Sequence, residues 1–112
     1  MSIELFRRLW ARRAEELERL WAVLERLKAR ARELDPDAHV YVFGSFARGS
    51  PRPDSDVDVL VVTRLASTEE GRIRVRAELG GVLSPYSPVE LHVVAPEQLG
   101  WYLQFMDVFV EI

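Results

Sequence analysis

Two aspartates one residue apart, Asp56 and Asp58, follow a Gly44-Ser45 pair a short way along the chain. Strand side chains alternate with period two, so a strand through this segment points both carboxylates the same way. Carboxylates at that spacing grip hard cations such as Mg²⁺, which prefer oxygen ligands and keep several waters. A Gly-Ser turn that opens a helix turns backbone N–H groups toward an anion. Together these parts describe a site for a metal-bound triphosphate. Each part alone has a plainer reading. The aspartates could be ordinary solvent-facing residues of a turn and strand edge, and Gly44-Ser45 a tight strand-to-helix corner.

The flanking elements must position these groups. Residues 39–43 read as a first strand leading into Gly44-Ser45, and a short helix runs from there through Arg48. Gly44 permits close backbone approach, while the Ser45 hydroxyl can cap that helix or meet a phosphate. Arg48 can pair with phosphate, with Asp54 or with Asp56. Residues 50–54 form a loop stiffened by two prolines. Residues 56–63 form the second strand, with Val57, Val59 and Val61 on one face and Asp56, Asp58 and Leu60 on the other. The valine face should lie under helices, and the carboxylate face should stay partly open, because unpaired carboxylates are costly to bury. A third strand at 89–94 places Glu90, His92 and Val94 on one face, with His92 read as a bystander.

Ahead of this core, residues 3–34 read as one long helix with Ser2 as N-cap. Phe6, Trp10, Leu17, Leu20, Leu24, Leu27 and Leu34 form its apolar stripe. At 1.5 Å per residue it would span about 45–48 Å, longer than the body it packs on. Its first half, with Phe6 and Trp10, should therefore overhang or bind a partner, unless the helix bends near Arg12-Arg13 and folds back. Asp35-Pro36-Asp37 should stop it. Further helices are expected over 67–79, ended by Gly80-Gly81, and from Pro96 toward Gln104, with an edge strand at 108–112.

The chain of 112 residues is expected to form one domain, with an α+β fold: a small mixed sheet of three to four strands covered by helices, with a long N-terminal helix. It contains no cysteine, so disulfides and thiolate metal sites are excluded. No apolar run approaches eighteen residues, and the first residues lack a secretory layout, so a cytoplasmic protein without membrane spans is expected. The net charge of −3 gives no footprint for direct nucleic-acid binding. Residues 1–34 carry +3 and the remainder −6, an excess of carboxylate where the metal site is expected.

The order Gly44-Ser45, Ala47-Arg48-Gly49, Ser55, Asp56 and Asp58 resembles the signature of the polymerase-β-like nucleotidyltransferase superfamily. The small size resembles the minimal nucleotidyltransferases, the antitoxin half of MNT/HEPN toxin–antitoxin pairs. The resemblance implies a nucleotidyltransferase-like core over 38–112, with the long helix over 1–34 as its N-terminal part. It implies that Gly44, Ser45 and Arg48 bind the nucleotide and that Asp56 and Asp58 bridge two Mg²⁺ ions. It also implies a third carboxylate in the later strand, usually aspartate. Glu90 holds that place by order, one methylene longer, and would complete the catalytic ion and help deprotonate the attacking hydroxyl.

The reaction implied by the resemblance moves NMP, AMP in this family, from an NTP such as ATP to a hydroxyl, with pyrophosphate leaving and two ions holding the reacting oxygens in line. The acceptor implied is a tyrosine of a HEPN-family partner, silenced by the modification. Two other readings stay open: a non-catalytic module that neutralises its partner by occlusion, or a small-molecule nucleotidyltransferase in which a homodimer builds the missing substrate lobe.

Overall fold

Alternating valines build the sheet. The computed structural model describes residues 2–44, 46–47, 56–106 and 108–112, apart from the side chains of Glu16 and Leu17. Strands β1 (His39–Phe43), β2 (Val57–Val62), β3 (Val89–Val94) and β4 (Phe109–Glu111) form one sheet in the order β3-β2-β1-β4. β1 is antiparallel to β2 and β4, whereas β2 and β3 are parallel. The fold is α+β, as the sequence suggested. Of the expected short helix through Arg48 only Phe46 and Ala47 are described, as a turn, and the rest of it and the 50–54 loop lie outside the described residues.

Val40 and Val42, Val57, Val59 and Val61, and Leu91 and Val93 point to one face and are buried. They pack against Leu20, Val23, Leu24, Leu27 and Ala31 of α2 (Leu20–Leu34) and Val75 and Leu79 of α3 (Glu69–Gly80). Each such side chain contributes about 1.5–3 kcal/mol relative to exposure. The opposite face is open only in part. Leu60, Val62 and Val94 are buried there with Met106, and Tyr41, Phe43, Leu99 and Tyr102 pack around them. The central strand is thus covered on both faces at its far end, which is why its sequence becomes the unbroken apolar run Leu60-Val61-Val62. The Asp58 end is left accessible.

The N-terminal helical region divides into α1 (Ile3–Glu18) and α2, where the sequence suggested one uninterrupted helix or a fold-back at Arg12-Arg13. The joint is Arg19, with φ −94° and ψ 6°. Bonds from Arg19 N to Glu15 O and from Val23 N to Arg19 O carry the helical ladder across it. The burial pattern explains the position of the joint. α2 is clamped to the sheet from Leu20 onward, whereas no described side chain of α1 is buried. Arg12 lies over the Tyr86 ring at 5.2 Å, so α1 rests on the loop before β3. Its first turns carry Ile3, Leu5, Phe6 and Trp10 exposed, and the longest dimension of the molecule is 45 Å.

α2 ends on Asp35, which is extended before Pro36 as expected. The Asp35 side chain is buried. Its carboxylate accepts from Thr63 Oγ1 at 2.7 Å and from the Asp37 N–H at 3.0 Å, with Arg64 Nε 3.6 Å away. Burial works to raise its pKa, but the Thr63 and Asp37 hydrogen bonds and the Arg64 charge outweigh it and hold the carboxyl below its ordinary value. Thr63 also caps a 3₁₀ turn, Arg64–Ser67, which takes up Ser67, the first residue of the helix expected over 67–79. α3 begins at Glu69, its Gly71 N–H capped by Thr68 Oγ1 at 3.0 Å. After β3, a 3₁₀ turn at Pro96–Gln98 leads into the short α4 (Leu99–Leu103).

Candidate metal and nucleotide site

Parallel pairing of β2 and β3 sets the register of the site. Asp58 stands opposite Glu90, and Leu60 opposite His92. On the other side Phe43 pairs with Asp58. Asp58, Glu90 and His92 thus share the open end of one sheet face. Each offers a donor atom, and these atoms lie within 4.8 Å of one another.

Gly44 closes the site from the end of β1. Its φ is +80°, in the left-handed region that favours glycine. A Cβ there would lie 2.6 Å from Asp58 Oδ2. The turn therefore requires glycine twice over, for its backbone conformation and to leave room for the carboxylate. Ser45 and Arg48, the other nucleotide-binding candidates, lie outside the described residues.

Asp56 stands just before β2 and outside this group. It is exposed, and its Oδ1 accepts from Arg13 Nη2 of α1 at 3.0 Å. The structure thus brings together two of the three proposed acidic residues, Asp58 and Glu90, and adds a histidine the sequence reading set aside. The alternation that placed Glu90 on this face placed His92 there too, but a search for carboxylates passes over an imidazole. Arg13 had no local signal, since its contact spans 43 positions.

The His92 ring packs against two aromatic rings, with centroids 5.3 Å from Phe43 and 6.4 Å from Tyr102. Its Nε2 is buried and has no hydrogen-bond partner. It faces Asp58 Oδ1 at 3.5 Å and Glu90 Oε1 at 3.9 Å, beyond ordinary hydrogen bonds. Two carboxylates and an unpartnered buried nitrogen facing one point form an electron-rich set that a divalent cation satisfies. In an octahedral site with bonds of about 2.1 Å, neighbouring donors lie about 3 Å apart and opposite ones about 4 Å. The observed spacing is on that scale, so the residues fit a divalent ion.

The family profile described as the nucleotidyltransferase domain matches residues 24–109. No curated protein matches the chain at a significant level. Two crystal structures, each described provisionally as a nucleotidyltransferase, share the fold. One superposes with a TM-score of 0.69 at 19% identity, covering 79% of this chain and 95% of its own. The other, from Sulfolobus solfataricus, superposes with a TM-score of 0.62 at 19% identity, covering 89% of this chain and 85% of its own.

Proposed function

From the premise that this chain belongs to the nucleotidyltransferase domain family, we propose that it transfers a nucleotidyl group, AMP from ATP, to a tyrosine hydroxyl of a HEPN-type partner and so acts as an antitoxin. The observation that carries this reading is the pairing of Asp58 with Glu90 across parallel strands, beside a left-handed Gly44. No helix among the described residues is long and apolar enough to cross a membrane.

In this proposal Asp58 and Glu90 hold the cation, and Asp56 joins them on leaving Arg13. Bound Mg²⁺ ions would neutralise the triphosphate and align the reacting oxygens. Gly44 lets the backbone approach the phosphates, with Ser45 and Arg48 supplying a hydroxyl and a guanidinium to the β- and γ-phosphates. The acceptor oxygen attacks the α-phosphorus and the bond from that phosphorus to the bridging oxygen breaks. Pyrophosphate leaves with the bond pair, and Glu90 accepts the acceptor's proton. The protein contributes positioning and charge neutralisation. Residues 38–112 form the catalytic core, and α1 with its exposed Phe6 and Trp10 supplies the docking surface for the partner.

The Arg13–Asp56 ion pair favours one second reading. A chain whose Asp56 stays engaged there would bind nucleotide or partner without turnover and neutralise by occlusion. Incubation with labelled ATP, Mg²⁺ and the product of the neighbouring gene separates the two. Covalent label on a tyrosine of that product is expected; a tight complex without label would overturn the transferase reading in favour of occlusion.

A further inference from the structure

The third donor facing the carboxylates is a nitrogen, and that changes which ion the site suits. We infer that His92 Nε2 is a direct ligand of the divalent cation held by Asp58 and Glu90, making a mixed imidazole–carboxylate site that favours a first-row transition ion such as Mn²⁺ over Mg²⁺. This inference rests on the proposed metal site, and deepens it.

Three observations carry it. First, Nε2 is buried and unpartnered, an arrangement that is costly unless something satisfies the atom. Second, its approaches to Asp58 Oδ1 and Glu90 Oε1, 3.5 and 3.9 Å, are too long for hydrogen bonds and suit donors around a shared ion. Third, the ring packs against two aromatic neighbours, Phe43 and Tyr102. A ligand held in place before binding loses little freedom when the ion arrives, and ligands locked by their surroundings make the more exact sites.

The chemistry of the donors then sets the preference. All-oxygen sites suit Mg²⁺, which dehydrates reluctantly, whereas imidazole nitrogen suits first-row transition ions, Zn²⁺ and Fe²⁺ more than Mn²⁺, which stands at the weak end of that series and serves as the paramagnetic probe. A second ion arriving with the triphosphate need not meet His92 and can remain Mg²⁺. The two positions would therefore differ in identity, the resident one selected by His92 and the mobile one by phosphate oxygens.

The test uses the full chain labelled with ¹⁵N-histidine and Mn²⁺ as probe, with and without a non-hydrolysable ATP analogue. The chain has two histidines. His39 sits at the other end of β1, against Glu111 at 2.6 Å, and serves as the control. Pulsed electron paramagnetic resonance should detect ¹⁵N coupling to Mn²⁺ in the wild type and in His39→Asn, and lose it in His92→Asn. His92→Asn should weaken Mn²⁺ binding at least about tenfold and reduce the preference for Mn²⁺ over Mg²⁺. If Mn²⁺ binds, is released by Asp58→Asn, and shows no ¹⁵N coupling in the wild type, His92 is not a ligand, while the metal site itself stands. If no Mn²⁺ binds in either condition, the inference and the proposed site fall together. The wild-type coupling measurement does not depend on any variant folding.

Discussion

Arg13 on α1 reaches across 43 positions of sequence to hold Asp56, with Nη2 3.0 Å from Oδ1. The first helix is thereby coupled to the edge of the candidate site. It keeps one carboxylate out of the group formed by Asp58, Glu90 and His92.

Arg13→Met should release Asp56 with little effect on the fold. Both side chains are partly exposed, and such pairs contribute about 0.2–1 kcal/mol. If the pair competes with ion binding, the same range predicts affinity for Mn²⁺ or Mg²⁺-ATP rising by up to about fivefold. Calorimetric titration of both chains checks this, and weaker binding in the variant would show that Arg13 supports the site instead.

Asp58→Asn should abolish nucleotidyl transfer, by about 10³-fold or more, while the fold persists. In the metal-free protein it should raise the melting temperature slightly, because it relieves the repulsion between Asp58 and its neighbour Glu90. A thermal melt alongside the labelled-ATP assay reads both effects. Undiminished transfer would remove Asp58 from the chemistry.

Gly44→Ala should cost about 1–2 kcal/mol for the left-handed backbone alone. The new methyl would also meet Asp58 Oδ2 at 2.6 Å and push that carboxylate aside. A displacement near 1 Å can lower turnover about 10²-fold. Urea unfolding gives the first effect and transfer kinetics the second, so activity lost well beyond the lost stability identifies displacement of Asp58.

Asp35 makes stability depend on acid. Its pKa is held below the ordinary carboxyl value in the fold, so its contribution is fully present above the unfolded value of about 3.9. That contribution is lost as pH falls through the folded value, and the window therefore lies below about pH 4. Asp35→Asn should flatten this part of the curve of urea midpoint against pH between 2 and 5. Thr63→Val, which removes the donor to a buried carboxylate, should cost about 1–3 kcal/mol near neutral pH. A wild-type curve without an acid-side decline would refute the role given to Asp35.

Strands β1, β2 and β3 were legible because alternation is local. Val57, Val59 and Val61 against Asp58 and Leu60 define two faces before any partner is known. The end of α2 before Pro36 was legible for the same reason, resting on the backbone preference of one residue, whereas Gly44 read only as a point of close backbone approach and its left-handed conformation came from the fold. The sequence order also identified Asp58 and Glu90 as candidate neighbours.

What the sequence left undecided depends on groups far apart in the chain. The kink at Arg19 follows from where burial against the sheet begins, at Leu20. The closed half of the carboxylate face required Met106 to fold over Leu60, Val62 and Val94. His92 became a candidate ligand only when parallel register set β3 beside β2, and Asp56, outside that group, is paired with Arg13 of the N-terminal helix instead. Side-chain alternation and proline sterics act within a few residues, so the sequence alone determined the strands, their faces and the acidic character of the site. Register, helix placement and ion pairing are settled by contacts between distant segments, so only the tertiary structure decided which donors face one another.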